Sequence, residues 1–92
     1  MIRRRVVVTG RVQGVFFRDS CRRQAVAAGV TGWVRNLPDG TVEAAFEGTS
    51  DAVDRMVKWT REGPPDAVVY GTTVSDEPPE GDDTFAVLPT PR

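Results

Sequence analysis

The 92-residue sequence contains no histidine, and this one absence excludes several kinds of enzyme site. Ser-His-Asp and Cys-His catalysis, acid–base chemistry by imidazole, and metal sites with histidine ligands all need that side chain. The single cysteine, Cys21, excludes an internal disulfide and a metal site made of several cysteines. A chain without disulfides needs no oxidising compartment, so we expect a cytoplasmic protein.

Long apolar runs are missing as well. The longest have four or five residues, too few to span a membrane, and the three valines after the basic start are too few for the core of a signal peptide. Ninety-two residues, with 39% hydrophobic and 27% charged side chains, suit one globular domain and leave no room for a second. We therefore expect a single domain over residues 1–92, monomeric and without a membrane partner.

The charge is unevenly distributed, although the net charge is only −1. Residues 1–46 carry eight arginines against three acidic residues, whereas residues 47–92 carry four basic residues against ten acidic ones. A basic N-terminal half favours an anionic ligand near the first elements of the chain. A surface of mixed charge, divided at an arbitrary midpoint, would explain the counts equally well.

The spacing of the apolar residues predicts four strands and two helices, followed by a short fifth strand. The strands are expected over residues 5–9, 30–36, 41–47, 67–75 and 85–88. Helices are expected over residues 18–28 and between the N-cap Ser50 and the stop at Gly63, and residues 76–83 are expected to form a solvated acidic loop. This order, β-α-β-β-α-β plus a terminal strand, predicts a ferredoxin-like α+β fold in which two helices cover one face of an antiparallel sheet.

The segment GRVQGVFFR, residues 10–18, joins the first strand to the first helix and is the first candidate for chemistry. A loop in this position can aim several backbone N–H groups at an anion, beside the positive end of a helix. Gly10 and Gly14 permit the unusual backbone angles that such a cradle needs, and Arg18 can hold an anion through two parallel N–H donors. A tight turn with a surface arginine is the alternative, since the segment is neither a GxGxxG fingerprint nor a P-loop.

The segment GWVRNLPDGTVE, residues 32–43, is the second candidate. It contains the end of one strand, a Pro-Asp-Gly turn and the start of the next strand. Asn36 lies beside the turn, and its amide can both donate and accept hydrogen bonds, so it can orient a water without titrating. The alternative is an asparagine that only initiates the turn.

Together, the two segments closely resemble the acylphosphatase family. The second begins fourteen residues after the arginine of the first, and the resemblance continues through the second helix to residues 63–65, so it covers nearly the whole chain. It implies the ferredoxin-like fold and the hydrolysis of acyl phosphates to a carboxylate and inorganic phosphate, without a cofactor or a metal ion.

The resemblance also implies roles for individual residues. Arg18 holds the phosphate together with N–H groups of the loop, Asn36 positions the attacking water, and Thr41 helps to order Asn36 or the water. The implied phosphate-binding loop consists of Arg11, Val12, Gln13, Gly14, Val15, Phe16, Phe17 and Arg18. Phe16 and Leu37 stand where other members have a small residue and a threonine; neither is expected to abolish activity, and both are candidates for altering the pocket.

The residue types available suit this reaction. An acyl phosphate releases a carboxylate, a weak base, so no general acid is needed. In phosphoryl transfer the protein mainly positions groups and neutralises charge, which an arginine, N–H donors and an asparagine can do. Hydrolysis of a phosphate monoester would be awkward here, since its alkoxide leaving group usually needs an acid or a metal.

The other conspicuous residues receive structural interpretations. Cys21 falls on the apolar face of the first helix, so we expect a core residue and not a nucleophile. Trp33 and Trp59 are expected to pack, and Phe16 is expected either in the core or in the wall of the pocket. Solvated positions are expected for Arg3, Arg4, Arg5, Asp82 and Asp83.

Two rival functions come from other classes of protein. A non-enzymatic anion-binding module would keep the cradle, but both Arg18 and Asn36 are present. A small RNA-binding domain would share the order of strands and helices, but it needs exposed aromatic residues on the central strands. The expected central strands, residues 5–9 and 41–47, offer only Phe46, so no nucleic-acid partner is expected.

Overall fold

The computed structural model describes all 92 residues and contains seven elements in the order that the apolar spacing predicts. They are β1 (Ile2–Arg11), α1 (Phe17–Ala28), β2 (Thr31–Asn36), β3 (Val42–Gly48), α2 (Ser50–Thr60), β4 (Val68–Glu77) and β5 (Phe85–Val87). The expected β-α-β-β-α-β order with a short final strand is confirmed. Strands β1 and β4 have ten residues each and are longer than expected.

The five strands form one sheet in the order β4-β1-β3-β2-β5. Strand β3 lies at the centre and pairs antiparallel with β1 on one side and with β2 on the other. Strand β4 pairs antiparallel with the free edge of β1. The four strands of the expected ferredoxin-like sheet are thus all antiparallel, as expected, and the short terminal strand β5 pairs parallel with β2, so the complete sheet is mixed. The parallel pairing arises because the chain crosses from the β4 edge to the β2 edge before it forms β5.

Both helices pack on the same face of the sheet and enclose the apolar core. Alternation along the strands directs one set of side chains towards the helices, and one face of each helix meets them. The core consists of Val6, Val8, Val12, Phe17, Cys21, Ala25, Val30, Val34, Val42, Ala44, Phe46, Val53, Met56, Val57 and Phe85.

Trp59 packs against this core with its ring centre 5.2 Å from that of Phe17, as expected. Cys21 is fully buried, and burial raises the pKa of its thiol, which agrees with a core residue.

The opposite face of the sheet carries charged pairs. Glu43 of β3 is buried between Arg35 of β2, at 2.7 Å, and Arg5 of β1. Burial opposes the charge of Glu43, but the two guanidinium groups outweigh this effect and lower its pKa. Trp33 also lies on this face, where the Arg35 guanidinium stacks 4.9 Å from the ring centre.

A bulge in β4 breaks the alternation that the sequence predicts for residues 67–75. Thr9 pairs with Gly71 but Gly10 pairs with Val69, so one extra residue, Tyr70, is inserted in β4. Val69 and Val74 therefore both pack against the core, although simple alternation places them on opposite faces. Gly10 has φ 128°, and a Cβ atom there would lie 2.1 Å from the carbonyl oxygen of Val68. Gly10 is thus required for the pairing of β1 with β4.

The helix ends differ slightly from the expected ones. The N-cap of α2 is Thr49, whose hydroxyl accepts a hydrogen bond from the N–H of Ala52 at 3.2 Å, and Ser50 is the first helical residue. Two adjacent residues of cap type are hard to tell apart in a sequence. The first helix ends at Ala28, as expected, and its C-cap Gly29 has left-handed backbone angles.

Arg3 forms the centre of an ion-pair network, so the prediction of a solvated position is wrong. Only 2% of the residue is exposed. Its guanidinium contacts four carboxylates: Glu47 at 3.2 Å, Glu77 at 3.3 Å, Glu80 at 3.3 Å and Asp82 at 2.9 Å. Burial opposes the charge, but these carboxylates raise the pKa of Arg3 above its usual value.

The same network holds the crossing between β4 and β5 in place. Glu47 accepts hydrogen bonds from the N–H groups of Glu80 at 2.7 Å and Gly81 at 2.9 Å, and these bonds, together with Arg3, lower the pKa of Glu47. The prediction of a solvated loop over residues 76–83 is therefore wrong in part. Its first two residues extend β4, and its middle is tied to the sheet by contacts between residues more than 30 positions apart.

The lowered pKa values of Glu43 and Glu47 predict sensitivity to acid. Both carboxylates stabilise the fold above the pKa of an unfolded glutamate, about 4.3, and this contribution is lost as the pH falls. Stability to urea, followed by circular dichroism, is expected to decrease from about pH 5 to about pH 3, and Glu47→Gln should flatten this decrease. Glu62→Gln, which removes an exposed carboxylate outside the network, should keep the parental slope. An unchanged slope in Glu47→Gln would contradict the assignment.

Candidate active site

The ends of three strands meet at one edge of the molecule and surround a cavity of about 420 Å³. Strands β1 and β2 both run antiparallel to β3, and β5 runs parallel to β2, so all three end on the same side of the sheet. The cavity is lined by Val12, Gly14, Phe16, Phe17, Arg18, Asp19, Asn36 and Val87. The fold thus brings Arg18 and Asn36, which belong to the two separate motifs, to one cavity.

The loop after β1 presents a row of unpaired backbone donors. The N–H groups of residues 14–19 donate to no backbone carbonyl, and no side chain caps the first turn of α1. Gly14 and Phe16 both have left-handed backbone angles, with φ of 73° and 63°. Free N–H groups at the positive end of a helix favour the binding of an anion.

Arg18 adds a full positive charge to these donors. It is half-buried in the first turn of α1, lines the cavity and forms no ion pair. Its neighbour Asp19 also lines the cavity, but the Asp19 carboxylate pairs with Arg23 at 2.9 Å. The charge of Arg18 is therefore available to an anionic group in the cavity.

Asn36 brings an unsatisfied acceptor to the same cavity. Its backbone pairs with Val42 at the end of the β2–β3 ladder, which fixes where the side chain begins. Its Oδ1 atom is buried and has no hydrogen-bond partner in the protein. A buried acceptor without a donor lowers the stability of the folded state by about 1–3 kcal/mol. A hydrogen-bond donor from outside the chain would remove this cost. A water molecule can be that donor.

The other residues of the two motifs have different surroundings. The Thr41 hydroxyl donates to Oδ1 of Asp39 at 2.6 Å, which lowers the pKa of Asp39, and Thr41 does not line the cavity. Gln13 donates through Nε2 to the carbonyl oxygens of Leu37 and Thr41, both at 2.9 Å. Val15 packs against the core instead of the cavity.

Two apolar residues form the outer wall of the cavity. Phe16 is 76% exposed, which decides between the two positions expected for it: it lies in the wall and outside the core. Val87 is the last residue of β5 and was not expected at the site. Its place depends on the parallel pairing of β5 with β2, for which the local sequence carries no signal.

Two further structural findings concern metal ions and membranes. No group of three or more histidine, cysteine, aspartate or glutamate side chains is arranged to hold a metal ion. None of the helices combines the length and the apolar character needed to cross a membrane.

Comparison with known proteins agrees with the family resemblance of the sequence. The profile of the family described as Acylphosphatase matches residues 4–87. An acylphosphatase of Rubrobacter xylanophilus is 64% identical over 77 residues, which are 84% of this chain and 70% of the relative. One of Gloeobacter violaceus is 55% identical over 95% of this chain and 94% of its own length. The crystal structure of acylphosphatase from Bacillus subtilis superposes with a TM-score of 0.93 at 35% identity, covering 96% of this chain and 99% of that one.

The likeness extends over the whole sheet, both helices and both segments that line the cavity. Residues 10–18 and 32–43 both fall inside the matched range, and the ferredoxin-like fold expected from the sequence is confirmed. The chain therefore belongs to the acylphosphatase family.

Proposed function

We propose that this acylphosphatase cleaves the carboxyl–phosphate bond of acyl phosphates with Arg18, the loop of residues 11–18 and Asn36, and without a metal ion or a cofactor. The observation that carries the proposal is the composition of one cavity. It combines an unpaired guanidinium, free N–H groups and a buried amide oxygen that lacks a donor. The first two suit a phosphate group, and the third suits a water molecule.

The phosphate end of the substrate is assigned to the loop. Its oxygens accept hydrogen bonds from the free N–H groups between Gly14 and Asp19, and Arg18 holds two of them through its planar fork. These donors are in place before the substrate arrives. They neutralise the charge that spreads over the phosphoryl oxygens in the transition state, which is the main catalytic need in phosphoryl transfer.

The attacking water is assigned to Asn36. The water donates one hydrogen to the buried Oδ1 atom, which leaves a lone pair of the water oxygen free to attack phosphorus. The bond from phosphorus to the bridging oxygen then breaks, and its electrons leave with the carboxylate. Asp19, the one carboxylate in the lining, is paired with Arg23, so we assign the second proton of the water to a phosphoryl oxygen.

The acyl end of the substrate is assigned to the apolar wall formed by Phe16 and Val87. A phenylalanine with positive φ costs about 1–2 kcal/mol, and such strain persists where the surroundings impose it, often at functional sites. The strained backbone leaves the ring exposed at the cavity instead of in the core. An apolar or aromatic acyl group would be shielded from water there, so we expect such substrates to be favoured over acetyl phosphate.

We also propose that residues 1–92 act as a single-domain, cytoplasmic monomer without a nucleic-acid partner. The groups to which the reaction is assigned, Arg18, the free N–H groups and Asn36, already meet within one copy of the chain. The only thiol is buried and unpaired, which suits a reducing compartment. The outer face of β1 and β3, where an RNA-binding domain exposes aromatic rings, carries Arg3, Arg5, Glu43 and Glu47 in ion pairs.

Alanine variants of Arg18 and Asn36 are both expected to lose activity, but only the Arg18 variant is expected to lose affinity for phosphate. Arg18→Ala should raise the inhibition constant of inorganic phosphate and lower kcat/KM by at least about 10²–10³-fold, because binding and transition-state charge stabilisation are both lost. Asn36→Ala should leave phosphate inhibition nearly unchanged and lower kcat by about 10²-fold. Steady-state hydrolysis of benzoyl phosphate in the presence of EDTA, with phosphate as inhibitor, measures both effects.

Arg22→Ala is the matched control for these variants. Arg22 is an exposed arginine of the same helix outside the cavity lining, and its removal should leave the rates unchanged. Circular dichroism establishes that each variant is folded. Turnover that survives in Arg18→Ala would contradict the assigned site. A folded parent that binds phosphate in a calorimeter but hydrolyses nothing would favour the anion-binding module instead.

Removal of the Phe16 ring is expected to change acyl preference. Phe16→Ala should lower the ratio of kcat/KM for benzoyl phosphate to that for acetyl phosphate by about 10-fold, since apolar pocket contacts typically discriminate by this order. Tyr70→Ala removes a similarly exposed aromatic ring that is not part of the cavity lining, and should leave the ratio unchanged. Equal losses with both substrates in Phe16→Ala would place the acyl group elsewhere.

A further inference from the structure

Gln13 links the two segments that supply the site. It lies in the middle of the loop after β1, and its Nε2 atom donates to the carbonyl oxygens of Leu37 and Thr41, each at 2.9 Å. Both acceptors belong to the turn that follows Asn36. Because carbonyl oxygens only accept hydrogen bonds, the nitrogen of the Gln13 amide must face them, and both of its hydrogens are used.

The two acceptors are already engaged within the turn. The Leu37 carbonyl accepts from the N–H of Gly40 at 3.2 Å, and the Thr41 carbonyl accepts from the N–H of Leu37 at 2.9 Å. Gln13 therefore supplies the second donor to each of these oxygens. No other hydrogen bond connects residues 12–19 with residues 36–41. One side chain thus forms the whole polar connection between the loop and the turn.

This connection matters because the sheet does not align the two segments by itself. The β1 ladder ends at Arg11, and the β2 ladder ends at Asn36. Beyond those residues the chain leaves the sheet: the free N–H groups lie in the loop and in the first turn of α1, which also carries Arg18, and the turn follows Asn36 directly. A displacement of about 1 Å between reacting groups can lower a rate by about 10²-fold.

We propose that Gln13 is a positioning residue that sets the distance between the phosphate cradle and Asn36, and so aligns the attacking water with phosphorus. This inference rests on the roles proposed above for Arg18 and Asn36. Gln13 does not line the cavity, so its side chain is assigned no contact with the phosphate or the water. It acts by holding the turn against the loop, so it should affect alignment for the reaction more than the binding of phosphate.

Gln13→Met tests the proposal with a side chain of similar length that has no donor. We expect kcat for benzoyl phosphate to fall by about 10- to 100-fold, a range typical of supporting contacts behind a catalytic group, while the inhibition constant of inorganic phosphate changes by less than about 3-fold. Gln13→Glu keeps the shape of glutamine but turns a carboxylate towards two carbonyl oxygens, and should lower kcat at least as much. Gln24→Met, at an exposed position of α1, is the matched control and should keep parental kinetics.

A double-mutant cycle separates positioning from a purely structural role. If Gln13 acts through the placement of Asn36, then Gln13→Met should cost little in a chain that already carries Asn36→Ala, and the two effects should be far from additive. Additive losses of kcat would overturn the proposal, as would a single variant with unchanged kcat. If Gln13→Met does not fold, the same cycle is run with Gln13→Glu.

The outcome also distinguishes this inference from the proposed function. A parent that hydrolyses benzoyl phosphate and loses kcat in Asn36→Ala, but keeps it in folded Gln13→Met, would overturn only the role of Gln13. Undiminished turnover in Asn36→Ala would overturn the proposed water site, and with it the positioning role.

Discussion

Strand β3 pairs with β1 on one side and with β2 on the other, both antiparallel, and the cavity depends on this arrangement. Two strands that are antiparallel to the same partner point in the same direction, so the loop after β1 and the end of β2 meet at one edge of the sheet. All seven residues of β3 are buried, which makes the pairing costly to disturb. Arg18 and Asn36 share a cavity because their strands share a neighbour.

The distribution of charge serves mainly the fold. Five of the eight arginines in the N-terminal half form ion pairs. Arg3 and Arg4 pair with acidic residues from the C-terminal half, whereas Arg5, Arg23 and Arg35 pair with Glu43 and Asp19 of their own half. Contacts between the two halves of the chain therefore explain only part of the asymmetry that first suggested an anionic ligand. Arg11, Arg18 and Arg22 form no ion pair, and only Arg18 of these three lines the cavity, so the combination of an unpaired charge and a place in the cavity marks the site more clearly than the total charge does.

The cavity collects features that would each lower stability in the absence of a ligand. Phe16 has positive φ, the Asn36 amide oxygen is buried without a donor, and the first turn of α1 has no cap. Unsatisfied and strained groups are rare in folded proteins and cluster where a ligand completes them. Elsewhere the helix ends at Gly29 and Thr49 are capped and the outer face carries paired charges, and one further buried polar atom, Oγ1 of Thr72 in β4, has no hydrogen-bond partner.

The sequence by itself determined the order of the elements, the buried faces of both helices and the two motifs that carry Arg18 and Asn36. These features are local, since periodicity and turn residues report on neighbours within a few positions. Tertiary structure alone decided the burial of Arg3, the bulge at Tyr70, the parallel β5 that brings Val87 to the cavity, and the bonds from Gln13 to the turn. Each of these depends on a partner distant in the chain, and no local pattern specifies which distant residues will meet.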